Sequence, residues 1–367
     1  GGCCDLPSSA TLTNYQQAFQ NLRAYGDIYN GGLSVNHYAQ PTGQGASPID
    51  PNLQAQAKDE IVVGGEYEII PDLRVGVSYT KSWVLNIIED MSNDEGSTYF
   101  IGNPGQGMAA DFPKAKRDYD AVTVLATKAF SDGWVGQASY TWSYLRGNWT
   151  GFIDTDYGQA TDPGSTAAFD LKSLLANSSG PLPGDRTHII KFYGAKNFQV
   201  TNNFGLLLGL TYEGYSGQPL SYLGAHPLYG PGLAFILPRG AAGRAPWVHT
   251  FNLKAGASYK FSKDMTVGFT VDILNMFNFQ AATSLDQNFT TQSVLPYTPA
   301  KGENPQEAIC AGGAHAGPSC DENNPSKVTL VDGDTPYLTD ADINKNFKQP
   351  LTYQAPLQVR FGLKFSF

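Results

Sequence analysis

The chain closes with Val359-Arg360-Phe361-Gly362-Leu363-Lys364-Phe365-Ser366-Phe367. Successive side chains of an extended strand leave on opposite faces. Val359, Phe361, Leu363, Phe365 and Phe367 therefore share one face, and Arg360, Gly362, Lys364 and Ser366 share the other. Five large apolar groups opposite two cations is the contrast of a strand with lipid on one flank and water on the other. A soluble sandwich strand is the competing reading, and it predicts the same rings buried between two layers. The rhythm returns upstream. Trp134, Gly136, Ala138, Tyr140, Trp142 and Tyr144 alternate with Val135, Gln137, Ser139, Thr141 and Ser143. Trp247, Phe251, Leu253, Ala255, Ala257, Tyr259 and Phe261 oppose Thr250, Asn252, Lys254, Gly256, Ser258 and Lys260. Phe204, Leu206, Leu208, Leu210 and Tyr212 also line up, although Leu207 breaks the polar side. Aromatic residues gather toward the strand ends, where an interfacial girdle sits.

Composition agrees. The 367 residues include 20 Tyr, 20 Phe, 5 Trp, 40 Gly and 23 Pro, which favours strands, turns and long loops over helices. A net charge of -9 lacks the basic footprint of a duplex binder, so no nucleic-acid partner is expected. No run approaches the roughly 18 apolar residues of a membrane-spanning helix. Barrel strands escape that test because every second residue is polar. The opening Gly1-Gly2-Cys3-Cys4-Asp5 has no signal-peptide character.

Turn signals set the topology. Pro71-Asp72, Ser131-Asp132-Gly133, Thr201-Asn202-Asn203 and Ser262-Lys263-Asp264 each separate two alternating runs. The hairpins so defined are 58–70 with 73–88, 117–130 with 134–147, 187–199 with 204–215, and 247–261 with 265–277. Between them lie long Gly/Pro/Asn/Asp-rich stretches at 89–116, 148–186, 216–246 and 279–351. Short turns at one end and long loops at the other is the asymmetry of outer-membrane barrels, with the turns in the periplasm. The apolar runs 97–101 and 234–237 are read as loop structure. Four hairpins and the terminal strand give nine strands, whereas bacterial single-chain barrels close with an even number. The reading is therefore all-β: a transmembrane antiparallel β-barrel portion of the bacterial outer membrane. Residues 1–57 are expected as an extracellular loop segment and 58–367 as the barrel portion with its long loops.

Chemistry-bearing residues are few. Cys310 and Cys320 lie in the longest loop and are expected to form a disulfide in an oxidising compartment. Cys3 and Cys4 are adjacent, so each needs a partner elsewhere. A zinc site from Cys310, His315 and Cys320 lacks a fourth ligand at recognised spacing. His37, His188, His226, His249 and His315 fall in no catalytic signature, and the chain is read as a non-enzyme. The acidic groups Asp154/Asp156, Asp332/Asp334 and Asp340/Asp342 are candidate calcium ligands in outer loops. None follows the full twelve-residue calcium loop, and solvated loop acids are the plainer reading. No other cofactor is expected.

Several stretches together resemble one family. They are Ile101-Gly102-Asn103-Pro104-Gly105-Gln106-Gly107, then Lys116-Arg117-Asp118-Tyr119-Asp120-Ala121-Val122. Ala138-Ser139-Tyr140-Thr141-Trp142-Ser143-Tyr144-Leu145-Arg146-Gly147-Asn148-Trp149 follows, with Leu182-Pro183-Gly184-Asp185-Arg186-Thr187-His188 after it. Asp272-Ile273-Leu274-Asn275-Met276-Phe277-Asn278 completes the set. The chain resembles the later, C-terminal barrel portion of TonB-dependent outer-membrane transporters, Oar-like branch. That resemblance implies a 22-stranded barrel of which these are the last nine strands. It also implies an N-terminal plug, a TonB-contacting segment and a carboxypeptidase-regulatory-like domain, none of which appears in this sequence. Arg360, Gly362, Phe365 and Phe367 match the strand signal read by the barrel-assembly machinery. Arg74, Lys254, Lys260, Arg360 and Lys364 become candidate contacts for acidic groups of a plug. The expected partners are outer-membrane lipid and lipopolysaccharide, the plug and preceding strands of the same parent protein, TonB, and surface proteins. The expected function is gated movement of a nutrient, peptide or protein across the outer membrane. A passive adhesin or scaffold barrel without energy coupling is the alternative.

Overall fold

The computed structural model describes residues 47–153, 156, 166–303, 308–309, 326–331 and 337–367. Nine long strands form one continuous antiparallel wall, and we number them β1–β9 in chain order. They are β1 (Ala57–Ile70), β2 (Leu73–Leu85), β3 (Arg117–Ser131), β4 (Trp134–Gly147) and β5 (His188–Gln199). The wall continues through β6 (Phe204–Tyr215), β7 (Val248–Lys260), β8 (Thr266–Leu274) and β9 (Gln358–Ser366). Each pairs with its sequence neighbours alone, apart from a two-residue strand, Gly180–Pro181, added at the loop end of β4. No helix among the described residues is long and apolar enough to cross a membrane.

The connections sort by length. Those at one end of the wall are two to five residues long, while those at the other run from 31 to 83. Asp132 and Gly133 both have positive φ, 49° and 77°, as the mirror-image two-residue turn of a right-twisted hairpin requires. The strands end slightly earlier than 73–88 and 265–277 predict. Asn86 (φ 49°) and Asn275 (φ 48°) adopt left-handed backbone, which stops β2 at Leu85 and β8 at Leu274.

Register carries the apolar face from strand to strand. Phe361 pairs with Val271 and Leu363 with Phe269, Leu210 with Leu253, and Tyr140 with Val124. These groups are not buried between layers: Phe361 is 72% exposed, Leu363 80% and Tyr67 75%. The sandwich reading is thereby excluded. Trp134 and Tyr144 bracket the face of β4, ten positions apart. At about 3.3 Å per residue and a tilt near 40°, that is about 25 Å, the height of a barrel's apolar band. Tyr140, His188, Trp247, His249 and Tyr212 stack in sequence at the loop end, with neighbouring centroids 5.7–6.1 Å apart. At the turn end Tyr259 packs on Phe261 and Phe365 on Phe367. Both ends thus carry the girdles expected of a membrane wall.

The runs at 97–101 and 234–237 contribute no wall strand, but they overlap short strands of their own. Phe100–Gly102 pairs with Glu89–Met91, and Gly230–Phe235 joins Leu223–His226 and Asn288–Ser293. These small sheets belong to a loop cap with two dry cores. One contains Met91, Phe100, Phe112, Trp149 and Phe169. The other gathers Tyr222, Ile236, Leu237, Phe289, Leu338 and Phe347.

Candidate functional site

Two surfaces carry polar chemistry: the inner face of the wall and the cap above it. On the inner face, Arg74 lies 3.8 Å from Glu66, and the Lys254 ammonium donates to Asp272 at 2.8 Å. Lys191 pairs with Glu213 at 3.3 Å. Lys260, Arg360 and Lys364 make no ion pair among the described residues. Arg360 stands opposite Asp272 in the register, yet Lys254 holds that carboxylate. Four of the five predicted cations therefore cluster on β7 and β9, whereas Arg74 is at the far side of the wall beside Glu66 and Glu68 of β1. The β7–β9 flank of the inner face is thus basic, while on the β1–β2 flank Glu60 and Glu66 pair with Lys58 and Arg74.

Beside Lys364 the inner face is hollowed into a trough of about 520 Å³, lined by Gly205, Gly256, Gly268, Gly362, Asn197 and Gln199. Gly362 cannot be replaced without movement, since a Cβ there would lie 2.6 Å from the Thr270 hydroxyl oxygen. Phe365 and Phe367, the aromatic half of the predicted assembly signal, point to the opposite, outer face.

At the junction of wall and cap, the motifs singled out in the sequence turn out to be buried polar rivets. Asn103 donates to the carbonyls of Gln54, Asn86 and Ile87, while its own carbonyl accepts from the Gln54 N–H. Asn148 accepts from the Lys116 N–H at 2.7 Å and donates to the Lys114 carbonyl. Asp185 accepts from the Leu145 N–H at 2.7 Å, from the Thr187 hydroxyl, and from the Arg244 guanidinium. Asn275 accepts from the Phe279 N–H and donates to the Phe279 and Ala355 carbonyls. Each is at most 4% exposed. Their short side chains take up backbone groups that irregular loops would otherwise leave unpaired.

The cap also buries acids. Glu89 accepts from the Trp149 indole and from both the N–H and the hydroxyl of Thr166. Burial outweighs those donors and pushes Glu89 up to about 7. Asp170 accepts from the Tyr229 hydroxyl at 2.7 Å, and Tyr229 in turn meets the Tyr99 hydroxyl. Burial, then the nearby Asp90 charge, raises Asp170 to about 7. The His226 Nε2 is hydrogen-bonded to the Ser173 hydroxyl at 2.9 Å, and burial lowers the His226 pKa. These contacts tie three loops together across 53 to 130 positions of sequence. No periodic pattern announced them.

The remaining predicted groups are less informative. Asp156 is held by Arg239, and Asp342 accepts from Thr339 as the cap of a short helical turn, so neither carboxylate faces solvent as a free ligand. Among the described residues no three His, Cys, Asp or Glu side chains gather as metal ligands. Cys3, Cys4, Cys310, Cys320, His37, His315, Asp154, Asp332 and Asp334 lie outside the described residues. His188 and His249 sit in the aromatic stack, each sharing a hydrogen bond at Nδ1 with a tyrosine hydroxyl at 2.9 Å.

No protein-family model matches the chain. It is 45% identical over 368 aligned residues to the TonB-dependent transporter Oar of Myxococcus xanthus, an alignment that takes in 99% of the chain and 33% of that protein. The chain thus spans about a third of the length of this curated relative. Among solved structures it is similar to the ferric-catecholate import receptor Fiu of Escherichia coli K12 in its closed form, at 12% identity and a TM-score of 0.37, over 70% of this chain and 28% of that one. It is also similar to FpvA of Pseudomonas aeruginosa in complex with pyoverdine, at 12% identity and a TM-score of 0.33, over 63% of this chain and 24% of that one. Over nearly all of its length the chain is thus a homologue of part of a TonB-dependent transporter, and its alternating nine-stranded wall is a β-barrel portion of the bacterial outer membrane.

Proposed function

We propose that the chain forms part of the wall and outer cap of an energy-coupled outer-membrane transporter. A plug domain of the same parent protein gates it, and TonB displaces that plug. The observation that carries this reading is the inner face of β7–β9: Lys260, Arg360 and Lys364, which make no ion pair among the described residues, beside a glycine-lined trough. Cations in an enclosed lumen need counter-charges, and acidic side chains of a plug supply them. The outer edges of β1 and β9, which pair with no further strand among the described residues, support the same reading. Exposed strand edges are untenable in hydrocarbon, so further strands of the parent protein close the barrel. The turns face the periplasm, and Arg360, Gly362, Phe365 and Phe367 form the signal that the assembly machinery reads. Cargo is a nutrient, a peptide or a protein recognised by the cap.

The test uses the full-length protein with Lys364→Cys and a thiol-to-amine crosslinker, in whole cells. A crosslink from position 364 to an N-terminal fragment is expected. Charge reversal at Lys260 and Lys364 is expected to loosen the plug and admit a large antibiotic. A passive adhesin gives neither result, and their joint absence in a correctly inserted barrel overturns the proposal.

A further inference from the structure

The outer face of the wall carries one feature that membrane anchoring alone does not require. On β4 and β5 the outward residues pair Trp134 with Lys196, Gly136 with Gly194, and Ala138 with Phe192. The middle pair has no side chains, and since the tip of the Phe192 ring leans over Gly194, the notch opens over Gly136, beside the Trp134 ring. Leu208, Leu210 and Leu253 form the third side, and the groove measures about 460 Å³. Its width is one pair of residues and its lining is almost wholly apolar, which suits a hydrocarbon chain.

The lower end of the groove is polar. The Lys196 ammonium donates to the Asp132 carbonyl at 2.7 Å and makes no ion pair among the described residues, which leaves N–H groups to spare. The Trp134 indole N–H has no acceptor among the described residues, and the residue is 41% exposed. Lys128 lies 4.9 Å above the Trp134 ring and holds it in place. That lysine is already occupied by the Ala129 carbonyl, the Ser131 hydroxyl and, at 4.0 Å, the Asp72 carboxylate. Asp132, the remaining acid of this turn, engages Lys196 through its carbonyl. Lys196 and Trp134 are cross-strand partners, so an ammonium-bearing and an indole-bearing side chain both stand at the rim of an apolar groove.

We propose that this groove binds one glycerophospholipid, with an acyl chain over Gly136 and along Phe192, Leu208 and Leu210, and the phosphodiester at Lys196 and the Trp134 indole. The proposal rests on the reading that the short turns face the periplasm, where the groove opens at the headgroup level of the inner leaflet. A cation bearing free N–H groups and an aromatic donor suit a phosphate-and-ester headgroup, and a plain hydrocarbon surface would need neither.

The experiment takes the full-length protein, strips it by detergent exchange, and adds back palmitoyl-oleoyl phosphatidylglycerol. Retention is read by native mass spectrometry. The wild type is expected to hold one such lipid. Lys196→Gln is expected to lower retention about tenfold, the scale of one charge-assisted hydrogen bond. Lys196→Arg retains it. Gly136→Leu, whose Cβ meets nothing closer than 3.5 Å, fills the groove and abolishes retention. Diacylglycerol with the same chains is expected to distinguish wild type from Lys196→Gln not at all. Equal phosphatidylglycerol retention by wild type, Lys196→Gln and Gly136→Leu overturns the site. All variants are scored for heat-modifiable migration and outer-membrane fractionation. Equal retention in proteins that pass both defeats the lipid site alone, whereas a wild type that fails both defeats the barrel reading with it.

Discussion

The wall and the cap are made from similar apolar residues used in opposite ways. Leu363 in the wall is 80% exposed, while Phe289 in the cap is fully buried. In the wall, backbone pairing is complete between neighbours and side chains are free to meet lipid, so stability comes from the ladder and from solvent outside it. In the cap the ladders are short, and packing around two cores plus side-chain rivets must replace them. Removing a methylene therefore means different things in the two regions. In the cap it leaves a cavity; in the wall lipid fills the space.

Four measurements press on that contrast. Phe289→Ala is expected to cost about 3–5 kcal/mol of cap stability. The check is loop proteolysis on whole cells, with heat-modifiable migration of the barrel unchanged; a variant whose barrel and cap fail together contradicts the separation. Next comes pH. A buried carboxyl raised from its ordinary 4.5 to about 7 favours the protonated, folded state. The Glu89 contribution is therefore fully present below pH 4.5, is lost progressively up to pH 7, and stays lost above it. The loss is on the order of 3 kcal/mol. Cap proteolysis is expected to be faster at pH 8 than at pH 5; Glu89→Gln is expected to weaken that dependence, and Glu89→Gln with Asp170→Asn to flatten it.

In the wall, Leu208 sits midway between Phe204 and Tyr212 on the outer face of β6. Leu208→Arg is expected to cost about 2–4 kcal/mol, measured by reversible urea unfolding in lipid vesicles. Leu208→Ala should be far milder than Phe289→Ala, because no sealed cavity forms. A Leu208→Ala cost equal to that of Phe289→Ala would mean that the outer face of β6 packs on protein. The smallest effect belongs to the half-exposed Lys254–Asp272 pair. Asp272→Asn is expected to change barrel stability by less than about 1 kcal/mol, and more at low salt than at high salt.

The wall was legible because its code is local. The nine strands, their hairpin turns and the outward faces of β4, β6, β7 and β9 follow from a period of two, which survives in any register that keeps the apolar face outside. Strand ends were less legible, since Asn86 and Asn275 look like ordinary polar residues until their left-handed backbone is seen. Asn103, Asn148, Asp185 and Asn275 were noticed only as parts of familiar stretches. Their signal is a short amide or carboxylate flanked by Gly, Pro or aromatic residues at a strand–loop boundary, and it says that a rivet is present without naming what it joins. Alternation puts Arg74, Lys254, Lys260, Arg360 and Lys364 on one face of the wall, but it could not tell that Lys254 and Arg74 already have acidic neighbours.

The order of residues alone thus specifies a one-dimensional pattern: which positions are strand, which flank is greasy, and which connections are short. Side-chain direction in a strand depends only on the parity of its position, so no partner need be known. The cap, the neutralisation of Lys254 by Asp272, and the notch opposite Lys196 arise from pairing between segments far apart in the chain. Such contacts depend on which backbone comes to lie beside which, and folding in three dimensions is what brings them together.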